Sequence, residues 1–137
     1  MDYDLDRFLK AQEHSYVQAL SEIRAGQKRS HWIWYIFPQL RGLGYSRNAD
    51  YYGIADREEA RQYLAHPILG ARLREISAAL LELPAHDPVR VMGKPDDLKL
   101  CSSMTLFERI AEPDSVFGSV LDQYYGGKRD AATLRML

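Results

Sequence analysis

The feature that most limits the folds open to this chain is the spacing of its apolar residues. They keep a helical period from end to end and never settle into the two-residue alternation of a half-buried strand. Leu5, Phe8, Leu9, Tyr16, Ala19, Leu20 and Ile23 recur at that spacing until Gly26, which predicts a first helix over about Asp4 to Ala25. Pro38 ends any helix begun at His31, and "RGLG" reads as a turn. A short helix is expected near Arg47 to Tyr52, and "DREEARQYL" opens as a helix capped by Asp56 with acids in its first turn. His66-Pro67 breaks that helix and starts the next, whose stripe of Leu69, Leu73, Ile76, Leu80 and Leu83 has no polar intruder. One helical turn is expected at Pro88 to Met92 and a helix over about Asp96 to Ala111. Another from Ser115 ends at Gly126-Gly127, and Asp130 caps a last one. The fold class expected is all-α: a compact single-domain bundle of about five to seven helices over residues 1–137, one of them short and aromatic-rich.

That short element, "SHWIWYIFPQLRGLGYS" from Ser30 to Ser46, holds both tryptophans of the chain. Trp32 and Phe37 read as core anchors, while Trp34, Tyr35 or His31 could turn toward a ligand and stack on a flat ring. No acid stands between Glu22 and Asp50, whereas Arg24, Lys28, Arg29, Arg41 and Arg47 supply five positive charges there. The alternative for this segment is a solvated basic surface. Across the whole chain the net charge is only −1, which disfavours general nucleic-acid binding.

Two helical wheels carry polar residues where the core should be. In the Asp96 to Ala111 helix, Lys99 and Ser103 lie one turn apart inside the arc of Leu100, Met104, Leu106, Phe107 and Ile110. A buried ammonium must find an anion or lose its charge, so Lys99 either snorkels, pairs with an acid such as Asp96, or serves a ligand. Ser103 could instead bond back to the Lys99 carbonyl. In the first helix Gln12 falls mid-arc among Phe8, Leu9, Tyr16 and Ala19, where an amide either braces a neighbour or faces a pocket. If Gln12, Lys99 and Ser103 meet, together with part of His31 to Gln39, they form a polar pocket in an apolar wall.

Familiar catalytic and metal signatures are missing. "RGLGYS" lacks the spacing and flanking strand of a dinucleotide loop, and His14, His31, His66 and His86 show no metal-ligand spacing. Cys101, the one cysteine, reads as a core thiol, in keeping with a reducing compartment. No metal and no cofactor is implied. The most apolar run, Trp32 to Phe37, is far short of the about 20 residues that span a bilayer, so no membrane partner is expected and the cytoplasm is the default location.

Four blocks in order carry a family resemblance: "RFLKAQEHSYVQALSEIRAGQKRSHWIWYIFPQLRGLG", "YLAHPILGARL", "KLCSSMTLF" and "VLDQYYGGKRDAATL". Over nearly its whole length the chain resembles the bacterial domain of unknown function family 1810. Positions matching the family's motifs include Gln12, Lys28, His31, Trp34, Gln39, Lys99, Ser102 and Ser103. The resemblance implies a largely helical domain and brings no reaction with it. Some members carry the label "calpastatin", but an inhibitor of that sort is a long disordered chain poor in aromatics, and 11% of these residues are aromatic.

The reading that follows is a small-molecule binding protein or an enzyme with a pocket for a flat, anionic, nucleotide-derived ligand. Its candidate binding residues are Gln12, Lys28, His31, Trp34, Gln39, Lys99, Ser102 and Ser103, and no catalytic residue is assigned. The alternative from another class is a protein interaction module using the Trp-rich segment as its hot spot.

Overall fold

The computed structural model describes residues 3–137, and every described element is helical. The expected first helix is two: α1 (Asp6–Glu13) and α2 (Tyr16–Arg24), with Ser15 leaving helical geometry at φ −124°. The break lets each half bury its apolar face on a different partner. Helix α1 packs on the short α3 (Ile33–Ile36), whereas α2 packs on α6 (Leu69–Glu82). Tyr35 Oη donates to Ser15 Oγ at 3.0 Å, fixing the corner to α3.

The later boundaries follow local chemistry. In α4 (Arg47–Tyr51) Ser46 Oγ accepts from the Ala49 N–H, and in α5 (Arg57–Ala65) Asp56 caps as expected, accepting from the Glu59 N–H at 2.9 Å. Helix α6 starts two residues later than Pro67, because His66 Nδ1 takes the Ile68 and Leu69 N–H groups at 3.1 and 3.2 Å. Pro88 opens α7 (Pro88–Met92), and α8 (Asp96–Ile110) follows. Gly126, at φ +61°, stops α9 (Val116–Tyr125), and Asp130 Oδ2 caps α10 (Ala131–Met136) through the Thr133 N–H at 3.0 Å. Ten helices are thus present among the described residues, against the five to seven expected. The excess comes from the split of the first helix and from several elements of one turn or little more.

Helix α8 runs through the middle, packed on α3, α5, α7, α9 and α10. A file of aromatic rings ties the layers together: Phe8 meets Tyr63 edge-on at 5.0 Å, Tyr63 meets Phe107 at 5.4 Å, and Phe107 meets Phe117 at 5.9 Å. All four are fully buried. No described helix is long and apolar enough to cross a membrane.

One irregular stretch matters for the site. Residues 39–41 run beside Ile54 in a single parallel bridge, where the Ile54 N–H donates to Gln39 O at 2.9 Å and the Arg41 N–H to Ile54 O at 2.8 Å. The backbone on both sides of Leu40 is therefore pinned, and with it the carbonyl of Gln39.

Candidate functional site

The Trp-rich segment folds around an acid that sequence reading passed over. Glu22 is buried and its carboxylate accepts from the Arg29 N–H, the Ser30 N–H, the Ser30 hydroxyl and the Trp32 indole at 2.6–2.9 Å. Burial alone would raise its pKa, but the Ser30 hydroxyl, the Arg29 N–H and the Trp32 indole outweigh that and lower it to about 2. Trp32 is 1% exposed and cannot offer itself to a partner, while Trp34 is half-buried in the wall of a pocket. The segment is dense in aromatics chiefly because it builds core.

Lys28 belongs to the same framework. Its Nζ lies 2.7 Å from Asp96 Oδ2, donates to Ser30 O at 2.6 Å and sits 5.0 Å from the centre of the Trp32 ring. Asp96 also faces Lys99, whose Nζ is 3.7 Å from Oδ1. That separation exceeds a hydrogen bond. Two ammonium groups thus share one carboxylate, and Lys28 holds it the more closely. Lys99 keeps a surplus of positive charge on a side chain that is 22% exposed.

That charge borders two neighbouring spaces. An inner pocket of about 10 Å³ is walled by Ile33, Trp34, Phe37, Gln39, Ala49, Tyr52, Gly53 and Lys99, and it has room for about one water molecule. Outside it an open cleft of about 410 Å³ runs between the 39–45 stretch, α8 and the start of α10. Gln39, Leu43, Gly44, Tyr45, Pro95, Leu98, Lys99, Ser102, Asp130 and Ala132 line it. Gln39 and Lys99 line both spaces. Gln39 is 8% exposed overall; its carboxamide makes no hydrogen bond to any described residue, and its polar atoms reach solvent.

Of the candidates from sequence, the structure brings Gln39, Lys99 and Ser102 together in the cleft, with Trp34 beside Gln39 and Lys99 in the inner pocket. The convergence expected of Gln12, Lys99 and Ser103 does not occur. Gln12 Nε2 donates to Tyr35 O at 2.8 Å and to Tyr63 Oη at 3.0 Å, so the amide serves the one polar atom of the aromatic file. Ser103 is fully buried, lines neither space, and its hydroxyl has no partner among the described residues. The back-bond considered for it belongs to its neighbours: Ser102 Oγ donates to Leu98 O at 3.1 Å and Thr105 Oγ1 to Cys101 O at 2.8 Å. Lys28 reaches the site only through Asp96, and His31 is exposed and lines neither space.

Replacing Gln12 with leucine should therefore cost about 1–3 kcal/mol of stability, the penalty for stranding the Tyr35 carbonyl and the Tyr63 hydroxyl. Urea unfolding checks the cost, and any ligand response of the cleft should survive.

Sequence reading missed Tyr45, Leu98 and Asp130. Tyr45 is 98% exposed and Leu98 65% exposed, two large side chains left out of the core and lining the cleft. The one available signal was an aromatic directly after the "RGLG" turn, off every helical stripe. Asp130 spends Oδ2 on the Thr133 N–H and hydroxyl. Burial first and Asp130 next push the thiol of half-buried Cys101 up to about 11, which keeps it protonated rather than thiolate. Among the described residues no three His, Cys, Asp or Glu side chains are grouped to hold a metal.

Fold and site together define an all-α protein with a small cleft lined by apolar residues together with Gln39, Lys99, Ser102 and Asp130. The chain belongs to the family described as protein of unknown function DUF1810, whose model matches residues 2–137. It is similar to the solved structure of the conserved hypothetical protein Rv1873 from Mycobacterium tuberculosis. The two are 47% identical, with 98% of this chain and 96% of that one covered and a TM-score of 0.96. No match is found among the curated proteins.

Proposed function

We propose that the protein binds a small anionic ligand in the cleft between the 39–45 stretch and α8, with Gln39 and Lys99 holding its charged end. The observation that carries this reading is Gln39. Its carboxamide has no hydrogen-bond partner among the described residues and its polar atoms reach the solvent of the cleft, so its donors and acceptor are open to a ligand beside a cation. Lys99 complements it, because its nearest acid is already engaged by Lys28 at 2.7 Å. An anion arriving at Lys99 need not break a tight internal pair. The inner pocket is water-sized, so the body of the ligand lies in the outer cleft. The Trp-rich segment is a poor hot spot for a protein partner with Trp32 buried, which favours this reading over an interaction module.

Lys99→Met separates a ligand cation from a structural one. Its fold should be as stable as wild type or slightly more so, since a thioether suits the apolar arc and Asp96 keeps Lys28. Affinity for phosphorylated metabolites should fall about tenfold or more, the worth of one charge-assisted hydrogen bond. Thermal melts of both proteins against sugar phosphates and nucleotides test it. A variant that melts several degrees lower, with no compound raising the wild-type midpoint, would sink the reading.

A further inference from the structure

The walls of the cleft say more about the ligand than its charge does. At the inner end, the Gln39 amide offers two N–H donors and the Lys99 ammonium three, enough to satisfy several oxygens of one group. A phosphate monoester presents such a set of acceptors, whereas a carboxylate presents two oxygens. In the same cleft Asp130 keeps Oδ1 uncommitted, because Thr133 takes only Oδ2. A carboxylate there accepts from hydroxyl groups and repels a second negative charge. Tyr45 and Leu98 line the same cleft, and the core leaves their ring and methyls to solvent at 98% and 65% exposure. A flat ring placed against them recovers that apolar surface by stacking on the tyrosine.

Phosphate at one end, hydroxyls beside it and a flat ring beyond describe one class of compound. Resting on the anion-site reading above, we infer that the ligand is a nucleoside monophosphate, with its phosphate on Gln39 and Lys99, a sugar hydroxyl on Asp130 and its base on Tyr45. A sugar phosphate lacks the ring, a nucleoside lacks the charge, and a triphosphate brings surplus charge toward Asp130.

Tyr45 is the residue on which to test this, since so exposed a side chain can be removed without touching the fold. Isothermal titration would compare the four common ribonucleoside monophosphates with ribose 5-phosphate on wild type, Tyr45→Ala and Tyr45→Phe. At least one monophosphate should bind wild type about tenfold or more tightly than ribose 5-phosphate, the margin a stacked base supplies. Tyr45→Ala should erase that margin and leave ribose 5-phosphate binding unchanged, and Tyr45→Phe should restore it. The nucleoside assignment is overturned if every monophosphate binds within about twofold of ribose 5-phosphate, or if Tyr45→Ala keeps the margin. The anion reading then still stands, provided ribose 5-phosphate binds wild type and not Lys99→Met. If neither class binds wild type, both fall together.

Discussion

Glu22→Ala is expected to destabilise the protein by about 3–5 kcal/mol, because it strands several N–H and O–H donors at once and each stranded buried donor costs about 1–3 kcal/mol. The donors are the backbone N–H groups of Arg29 and Ser30, the Ser30 hydroxyl and the Trp32 indole. Water cannot take over from the carboxylate at Trp32, whose ring is enclosed by the core. Urea unfolding measures the loss. A second arm uses pH. The Glu22 carboxyl titrates near 2 in the folded protein against an ordinary 4.5, so its contribution is complete above about 4.5 and is lost as the pH falls toward 2. Glu22→Gln keeps the size but cannot ionise, and its stability should lack that part of the acid dependence. Equal acid sensitivity in the two proteins would show that Glu22 does not hold the segment through its charge.

The same residue shows what the sequence made legible and what it hid. Trp32 and Phe37 are core, as their place in a short apolar element implies, and the Asp56, Asp130 and Gly126 boundaries follow from capping chemistry that acts within a few residues. Periodicity gave the helix class because every buried face repeats locally. Glu22 stayed hidden because a helix wheel records which side a residue faces and not what the chain brings back to it. Its partners at Arg29, Ser30 and Trp32 lie beyond a turn. The split at Ser15 was invisible for a related reason. One unbroken apolar phase runs through Phe8, Tyr16 and Ile23, and only the separate positions of α3 and α6 require a corner. Of the polar residues on apolar arcs, Lys99 lies at the edge of the cleft, part-exposed beside Asp96. Gln12 gave the same signal for a purely internal reason, the need of the Tyr63 hydroxyl for a partner. Tyr45, Leu98 and Asp130 interrupt no arc, and their shared cleft exists only once α10 folds back on α8.

Glu59→Ala should be as costly as the loss of Glu22 and should also weaken the cleft. Arg7 and Glu59 form an ion pair at 2.9 Å with side chains only 6% and 2% exposed. The guanidinium also donates to Tyr51 O at 2.9 Å and to Gly53 O at 3.0 Å, and Glu59 Oε1 accepts from the Ala55 N–H at 2.7 Å. Removing one partner of a buried pair leaves an uncompensated charge and costs about 3–5 kcal/mol, whereas replacing both with apolar residues of similar volume is often neutral or stabilising. Glu59→Ala should therefore fall by that amount, and Arg7→Met combined with Glu59→Leu by much less. The two proteins should part differently at the site. The pair fixes residues 51–55 by their backbone, Gly53 forms the wall of the inner pocket, and Ile54 pins Gln39 through its bridge. The double variant recovers packing but not the guanidinium bonds to Tyr51 and Gly53, so it should regain stability while still binding phosphorylated ligands more weakly than wild type. A double variant with wild-type affinity would mean that the 51–55 backbone holds Gln39 in place without help from Arg7.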